Sequence, residues 1–383
     1  MTHPDADAPS RLTVTVLIAS FIALALYLAP AMVTVMIARL GFRPADPGYV
    51  ISAEMAGMGL ATFPALWWLS RIHWGRLACL MLLAIAVGDT ASIAATTPLA
   101  LAIARFATGL AQGTVSIICM SALRLTRDPN RSFGIWLFAE LSVGAVALLG
   151  LPLLVSVAGI GGVYATLGLL ALLLAGIGLH IPSGHDRGAR AKVLASTGAR
   201  DLWAGVAGLA GILGFYIGFS AIWTFTSQMA SPAVAPAVVA RALSLAPIGG
   251  MAGAALAGAI GTRFGSARPF AVAVAALAAA AGTLGLKPEW AAYQLASCGV
   301  LLGWTFGVPF LFGGIAQVDA SGRLTTAINI VIGTGLAAGP ALAALVVGSS
   351  GHYGVVVTLA ISLSLASYLL AFPMLRAGTP RAA

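Results

Sequence analysis

Long apolar runs separated by short polar breaks recur from one end of the chain to the other. They fall at about 12–38, 47–69, 77–96, 98–123, 132–157 and 160–181, then at about 202–226, 236–260, 267–286, 289–316, 324–348 and 353–376. Each is near the roughly 20 residues a helix needs to cross the hydrocarbon of a bilayer. Alternating strand patterns are missing, and in lipid a backbone must satisfy its own hydrogen bonds. The pattern therefore predicts an all-α membrane protein of twelve transmembrane helices. Turn chemistry marks the breaks, as in Arg43-Pro44-Ala45-Asp46-Pro47, Asp128-Pro129-Asn130 and Lys287-Pro288-Glu289. At Thr96–Pro98 and Gly159–Gly162 the break is almost absent. Met1–Ser10 is polar and lacks the basic start of a secretory signal, so the run from Leu12 reads as a first retained span.

Composition agrees with lipid as the solvent. Hydrophobic residues make up 60% of the 383, charged residues 8%, and the mean hydropathy is +1.00. A water-facing surface needs about 25% charged residues. The net charge of +9 suggests a nucleic-acid partner until its distribution is read. Of the 20 Lys and Arg, 15 fall in segments on the side of the N-terminus. Only Arg39, Arg43 and Lys287 lie on the other side, and Arg105 and Arg241 lie within spans. The positive-inside rule places both termini in the cytoplasm of a cell whose inner (plasma) membrane holds the chain, and removes the nucleic-acid reading. Cys79, Cys119 and Cys298 lie in apolar stretches without ligand spacing and read as small core residues.

The longest break, Ser183–Ala199, is basic and glycine-bearing and lies midway along the chain. It divides the chain into a first bundle at 1–182, a cytoplasmic linker at 183–200 and a second bundle at 201–383. The halves share landmarks. Gly75 and Gly265, Gly109 and Gly299, and Gly113 and Gly303 are each 190 residues apart (265 − 75, 299 − 109, 303 − 113). A duplicated six-helix unit follows, a pattern typical of secondary transporters.

These features, with four local motifs, resemble the major facilitator superfamily across essentially the whole chain. The loop after span two in that family reads Gly-x-x-x-Asp-Arg-x-Gly-Arg-Arg. Its likeness here is Gly258-Ala259-Ile260-Gly261-Thr262-Arg263-Phe264-Gly265, with Thr262 at the acidic position, and a degenerate first copy that keeps Gly75-Arg76. Span four carries Arg105-Phe106-Ala107-Thr108-Gly109 and on to Gly113, similar to the family's Arg-x-x-x-Gly-x-x-x-Gly. The antiporter motif Gly-x-x-x-Gly-Pro-x-x-Gly is approximated by Gly150-Leu151-Pro152 and more closely by Gly335 through Gly339-Pro340. The resemblance implies two pseudo-symmetric bundles around a central cavity. It also implies conformational gating at Gly75, Arg76, Gly258, Arg263, Gly265, Pro152, Gly339 and Pro340.

A charge inside a span costs roughly 2.5–3.5 kcal/mol on insertion scales, so each needs a reason. Four sit deep: Glu54, Asp89, Arg105 and Glu140. The first three lie seven residues from the outer ends of their spans, which places them at one level, about 10 Å in at 1.5 Å per residue. One Arg and two acids at one depth suit a paired cluster. The resemblance puts spans two and four beside the cavity and span three outside, which makes Glu54 and Arg105 the favoured pair, with Asp89 a partner from behind. Glu54 would exchange a proton under the influence of Arg105; the alternative is a static pair that fixes helix packing. Glu140, alone in span five, reads as a proton carrier or an inner gate residue. Tyr27, Gln112, Tyr216, Trp223, Gln228, Trp304 and Asn329 are candidates for the substrate wall, or else for helix packing. Trp67, Trp68 and Trp74 read as interface anchors. The glycines at 205, 208, 211, 214 and 218 mark close helix contact in span seven, sliding or static.

No Walker loop, catalytic triad spacing or gathered His set is visible, so neither an enzyme, a metal site nor a cofactor is expected. A sensor would need a soluble domain that no loop is long enough to supply. The expected function is movement of a small molecule with protons by alternating access, as a monomer in the bilayer. Efflux by antiport is the first reading. Proton-coupled uptake of a small organic anion, with Arg105 holding its carboxylate, is the second.

Overall fold

The computed structural model describes residues 8–182, 199–261, 263–319 and 323–377. Among these every regular element is helical. Ten helices are long and apolar enough to cross a membrane. The chain forms two compact units, Met1–Gly188 and Ala189–Ala383; of the expected linker at 183–200, residues 183–198 lie outside the described residues and the last two are helical.

In the first unit, α1 (Pro9–Tyr27) and α2 (Ala29–Leu40) follow one run of sequence and part at Leu28. Pro30 has no N–H to continue the helical ladder, which accounts for the interruption. α2 ends at Gly41 in the left-handed region, φ 67°. α3 (Asp46–Leu60) and α4 (Thr62–Trp68) part at Ala61 in the same way, three residues before Pro64. α5 (Trp74–Ala94) precedes α6 (Pro98–Leu123), whose first turn is capped by Thr97, the hydroxyl accepting from the Ala100 N–H at 3.2 Å. Asp128 does the same for α7 (Pro129–Ile177), accepting from the Arg131 N–H at 3.0 Å. α7 runs 49 residues but is broken at Gly159, φ 63° and ψ −165°, a conformation open essentially to glycine alone. The nearly absent break read at Gly159–Gly162 is thus a single-residue hinge point in backbone geometry. A short 3-10 turn, Gly178–His180, follows α7.

The second unit holds α8 (Ala199–Phe225), α9 (Pro236–Ile260), α10 (Ala267–Gly285), α11 (Trp290–Val318), α12 (Arg323–Ser350) and α13 (Gly354–Ala377). The glycines of α8 face neighbours closely. A Cβ at Gly211 would lie 2.8 Å from the Ser367 carbonyl oxygen, and one at Gly218 3.0 Å from that of Ala360, both on α13.

Both units leave large apolar side chains outward. Val146, Val157, Leu295 and Leu369 are 70% exposed or more, and their number fits a lipid-facing exterior rather than water. Two expected interface anchors behave otherwise. Trp74 is fully buried and its indole N–H donates to the Leu69 carbonyl at 2.9 Å, and Trp68 is buried as well. The Leu69 carbonyl is turned back to the Trp74 indole, which position along the chain does not reveal. Trp67 alone of the three is exposed, with the Arg71 guanidinium 4.9 Å from its ring centre.

Candidate functional site

Glycine brings the charged residues of the first unit together. A Cβ at Gly57 of α3 would lie 2.8 Å from the Leu110 N, and one at Gly113 of α6 2.7 Å from the Met58 Cα. A Cβ at Gly109 would run into the Glu54 carbonyl oxygen. The two backbones therefore touch, and Glu54 on α3 stands beside Arg105, one turn from Gly109 on α6. Gly88 lets α5 approach the Thr108 side chain of α6 in the same manner. Gly168 of α7, where a Cβ would sit 3.4 Å from the Asp89 Cβ, brings that helix in from the other side.

The result is a buried three-residue cluster. Arg105 Nε donates to Glu54 Oε2 at 3.2 Å and Nη2 donates to Glu54 Oε1. Nη1 donates to Asp89 Oδ1 at 2.5 Å and reaches Ser92 Oγ at 3.5 Å. Arg105 is 3% exposed, Asp89 1% and Glu54 7%. The planar guanidinium suits this arrangement because its fork can hold one carboxylate by two nitrogens and turn the third toward another. Tyr164 of α7 covers the face, its ring centre 5.3 Å from the Arg105 Cζ. With all three groups ionised the cluster carries one net negative charge. It borders a cavity of about 40 Å³ whose wall also includes Gln112, Tyr164 and apolar side chains of α1 and α2 such as Phe21, Leu24 and Met32. Asp89 is a full member, not only a support from behind.

Glu140 is not alone. The Tyr27 hydroxyl donates to Glu140 Oε1 at 3.2 Å, both groups buried, and Gly144 of α7 makes room for the Tyr27 ring. This corrects the isolated carboxylate and gives Tyr27 a partner within the first unit. Tyr27 is 1% exposed with its hydroxyl engaged. Sequence reading missed the pair because depth along a span says nothing of the direction a side chain faces. Tyr164 was missed because an aromatic within an apolar run looks like packing; its hydroxyl was the available signal.

In the second unit, Trp304 of α11 stacks on Phe219 of α8 with ring centres 4.3 Å apart and planes 5° from parallel. Tyr216 meets the same indole edge to face at 6.2 Å. Trp223 is wholly buried, so it forms part of the core and no open wall. Gln228 lies beyond α8, in the 3-10 turn Thr226–Met229, where it donates to Ser227 Oγ at 3.3 Å. Asn329 is on an exposed face of α12. Of the residues assigned to gating, Gly339 contacts α8 closely, 2.6 Å from a built Cβ to the Ile217 carbonyl, and Pro340 lies inside α12. Gly75 abuts Leu179, whereas Gly258 has open space around it. Gly265 has φ 67°, as its tight turn before α10 requires. Arg76, Pro152 and Arg263 are exposed, and Thr262 lies outside the described residues.

No family model matches the sequence, and no curated protein matches it either. Solved structures do. A mutant of the nucleoside transporter NupG superposes with a TM-score of 0.69 at 13% identity, over 96% of this chain and 100% of that one. The POT family transporter PepTSo gives 0.69 at 12%, over 96% and 99%. A structure reporting substrate recognition in proton dependent oligopeptide transporters gives 0.73 at 15%, over 96% and 98%. At such identities the likeness carries the fold. The chain is a multi-pass membrane protein with the fold of these transporters, the major facilitator fold that its motifs resemble.

Proposed function

We propose that the chain is a secondary transporter that moves a small organic solute by alternating access, with protons as the coupling ion. One observation carries this reading: two carboxylates and an arginine, nearly excluded from solvent, share one cluster beside a small cavity inside the first unit. Buried ion pairs are weak devices for stability, and ionisable groups at membrane depth mark ion pathways or switches. Likeness to nucleoside and proton dependent oligopeptide transporters supports the same class. The proposed solute contacts are Gln112 in the first unit and Tyr216, Trp304 and Asn329 in the second. Glycine contacts such as Gly339 on α8 suit helices that shift against one another.

The reading includes twelve crossings. α1 with α2 and α3 with α4 each form one interrupted span, and α7 forms two about Gly159. Two six-helix bundles, both termini in the cytoplasm and a monomeric state go with it, and no enzymatic step is proposed. Efflux by antiport is the preferred direction. All three guanidinium nitrogens of Arg105 already face a carboxylate, which weighs against its serving as the partner of a substrate anion.

Everted membrane vesicles test this. With an acid interior imposed, addition of a transported solute is expected to dissipate the pH gradient. Solute accumulation that leaves the gradient untouched rejects proton antiport, and alkalinisation of the medium by whole cells on solute addition replaces it with symport.

A further inference from the structure

The two acids of the cluster are held differently. Glu54 accepts from Arg105 through both oxygens, Oε2 from Nε and Oε1 from Nη2. Asp89 accepts through Oδ1 alone; its Oδ2 is buried without a hydrogen-bond partner. Two further buried atoms of the same cavity wall also lack partners, Gln112 Oε1 and the Tyr164 hydroxyl. Buried polar groups are nearly always satisfied, by protein or by water. The cavity volume, about 40 Å³, exceeds the roughly 10–15 Å³ that one water requires. Three residues that each carry an unpartnered buried polar atom line this space, and polar partners are the other thing a buried water needs.

We propose that this cavity binds water on Asp89, Gln112 and Tyr164, and that Asp89 is the acid which takes up and releases the transported proton while Glu54 remains the fixed counter-ion of Arg105. The inference rests on the proton-coupled reading above and names, within its site, the carboxylate that moves the charge. A hydronium in the cavity gives its proton to Asp89 Oδ2 and becomes water. Oδ1 keeps its hydrogen bond from Arg105 Nη1, the Glu54–Arg105 pair stays ionised, and the cluster passes from one net negative charge to none. The reverse step returns the proton to cavity water.

The groups facing Asp89 are few. Arg105 comes from α6, Glu54 from α3 and the Tyr164 hydroxyl from α7, with Ser92 on its own helix. α1 contributes only apolar side chains to the cavity. His180 belongs to the 3-10 turn that packs near Cys79, ten residues along α5 from Asp89 and so about 15 Å away.

Infrared difference spectroscopy of the purified protein, between acid and alkaline buffer, reads the carbonyl stretch of a protonated buried carboxyl. A Glu140→Gln background removes the other deep acid of the unit; Asp46, also buried, lies at the start of α3 paired with Arg43. The band is expected to appear on acidification, to be lost in Asp89→Asn and to persist in Glu54→Gln. Loss in Glu54→Gln with retention in Asp89→Asn overturns this assignment and leaves proton coupling standing. Absence of any titrating band from the cluster defeats proton coupling at this site as well. If Asp89→Asn does not fold, Tyr164→Phe and Gln112→Leu are read instead, since both keep every carboxyl. Displacement of the band's midpoint supports Asp89, and an unmoved midpoint overturns it.

Discussion

Arg105 is the residue on which the first unit's electrostatics depend. Removing it leaves Glu54 and Asp89 buried at one level with no cation between them. Breaking a buried pair in this way typically costs about 3–5 kcal/mol. Arg105→Ala is therefore expected to lower the thermal unfolding midpoint of detergent-solubilised protein and to abolish transport, whereas Arg241→Ala, at an exposed position, is expected to do neither. Equal and mild effects would mean that the cluster contributes little. Tyr27→Phe is expected to cost about 1–3 kcal/mol in the same assay, because Glu140 loses its hydroxyl donor in a buried setting; an unchanged midpoint counts against that pairing. The common depth of Glu54, Asp89 and Arg105 was legible because the rise per residue fixes depth once the span ends are known. Which acid Arg105 holds by two nitrogens, and where Glu140 finds a partner, depend on the rotation of each helix, and an evenly apolar sequence leaves that undefined.

Helix contact rests on glycine at particular positions and not on glycine in general. Gly109→Ala puts a Cβ into the Glu54 carbonyl, forcing α3 and α6 apart, for which overpacking gives about 1–3 kcal/mol. Gly134→Ala, with nothing within 4 Å, is expected to be neutral or to stabilise α7 by about 0.5–1 kcal/mol. Gly159→Ala meets no neighbour either, yet its backbone conformation carries a cost of order 1–3 kcal/mol. Thermal unfolding of the three variants separates contact, open space and backbone strain, and equal midpoints would refute the distinction. The recurring glycines at 205, 208, 211, 214 and 218 announced the close contact of their helix in sequence. The interruptions at Leu28 and Ala61 did not register, although Pro30 and Pro64 were present, because hydropathy runs unbroken across them. Burial of Trp68 and Trp74 escaped notice for a related reason: linear position suggests the interface and does not reveal burial.

At the scale of the whole chain, hydropathy and the asymmetric placement of Lys and Arg define a multi-pass membrane protein, and span-four and loop motifs indicate its fold. Chemistry is unevenly divided: among the described residues the buried charges all belong to the first unit, while the second offers the Trp304–Phe219–Tyr216 aromatic group. Such a division suits the proposal that the first unit carries the coupling ion. Proteoliposomes with a trapped pH indicator, challenged with nucleosides, short peptides, organic acids and cationic drugs, test that coupling most directly. The expected result is that at least one solute class moves protons with the wild-type protein, and that a Glu54→Gln, Asp89→Asn double variant carries the same solute without protons or not at all. Solute carried by the wild type with no proton movement, or proton-linked transport unchanged in the double variant, would contradict it.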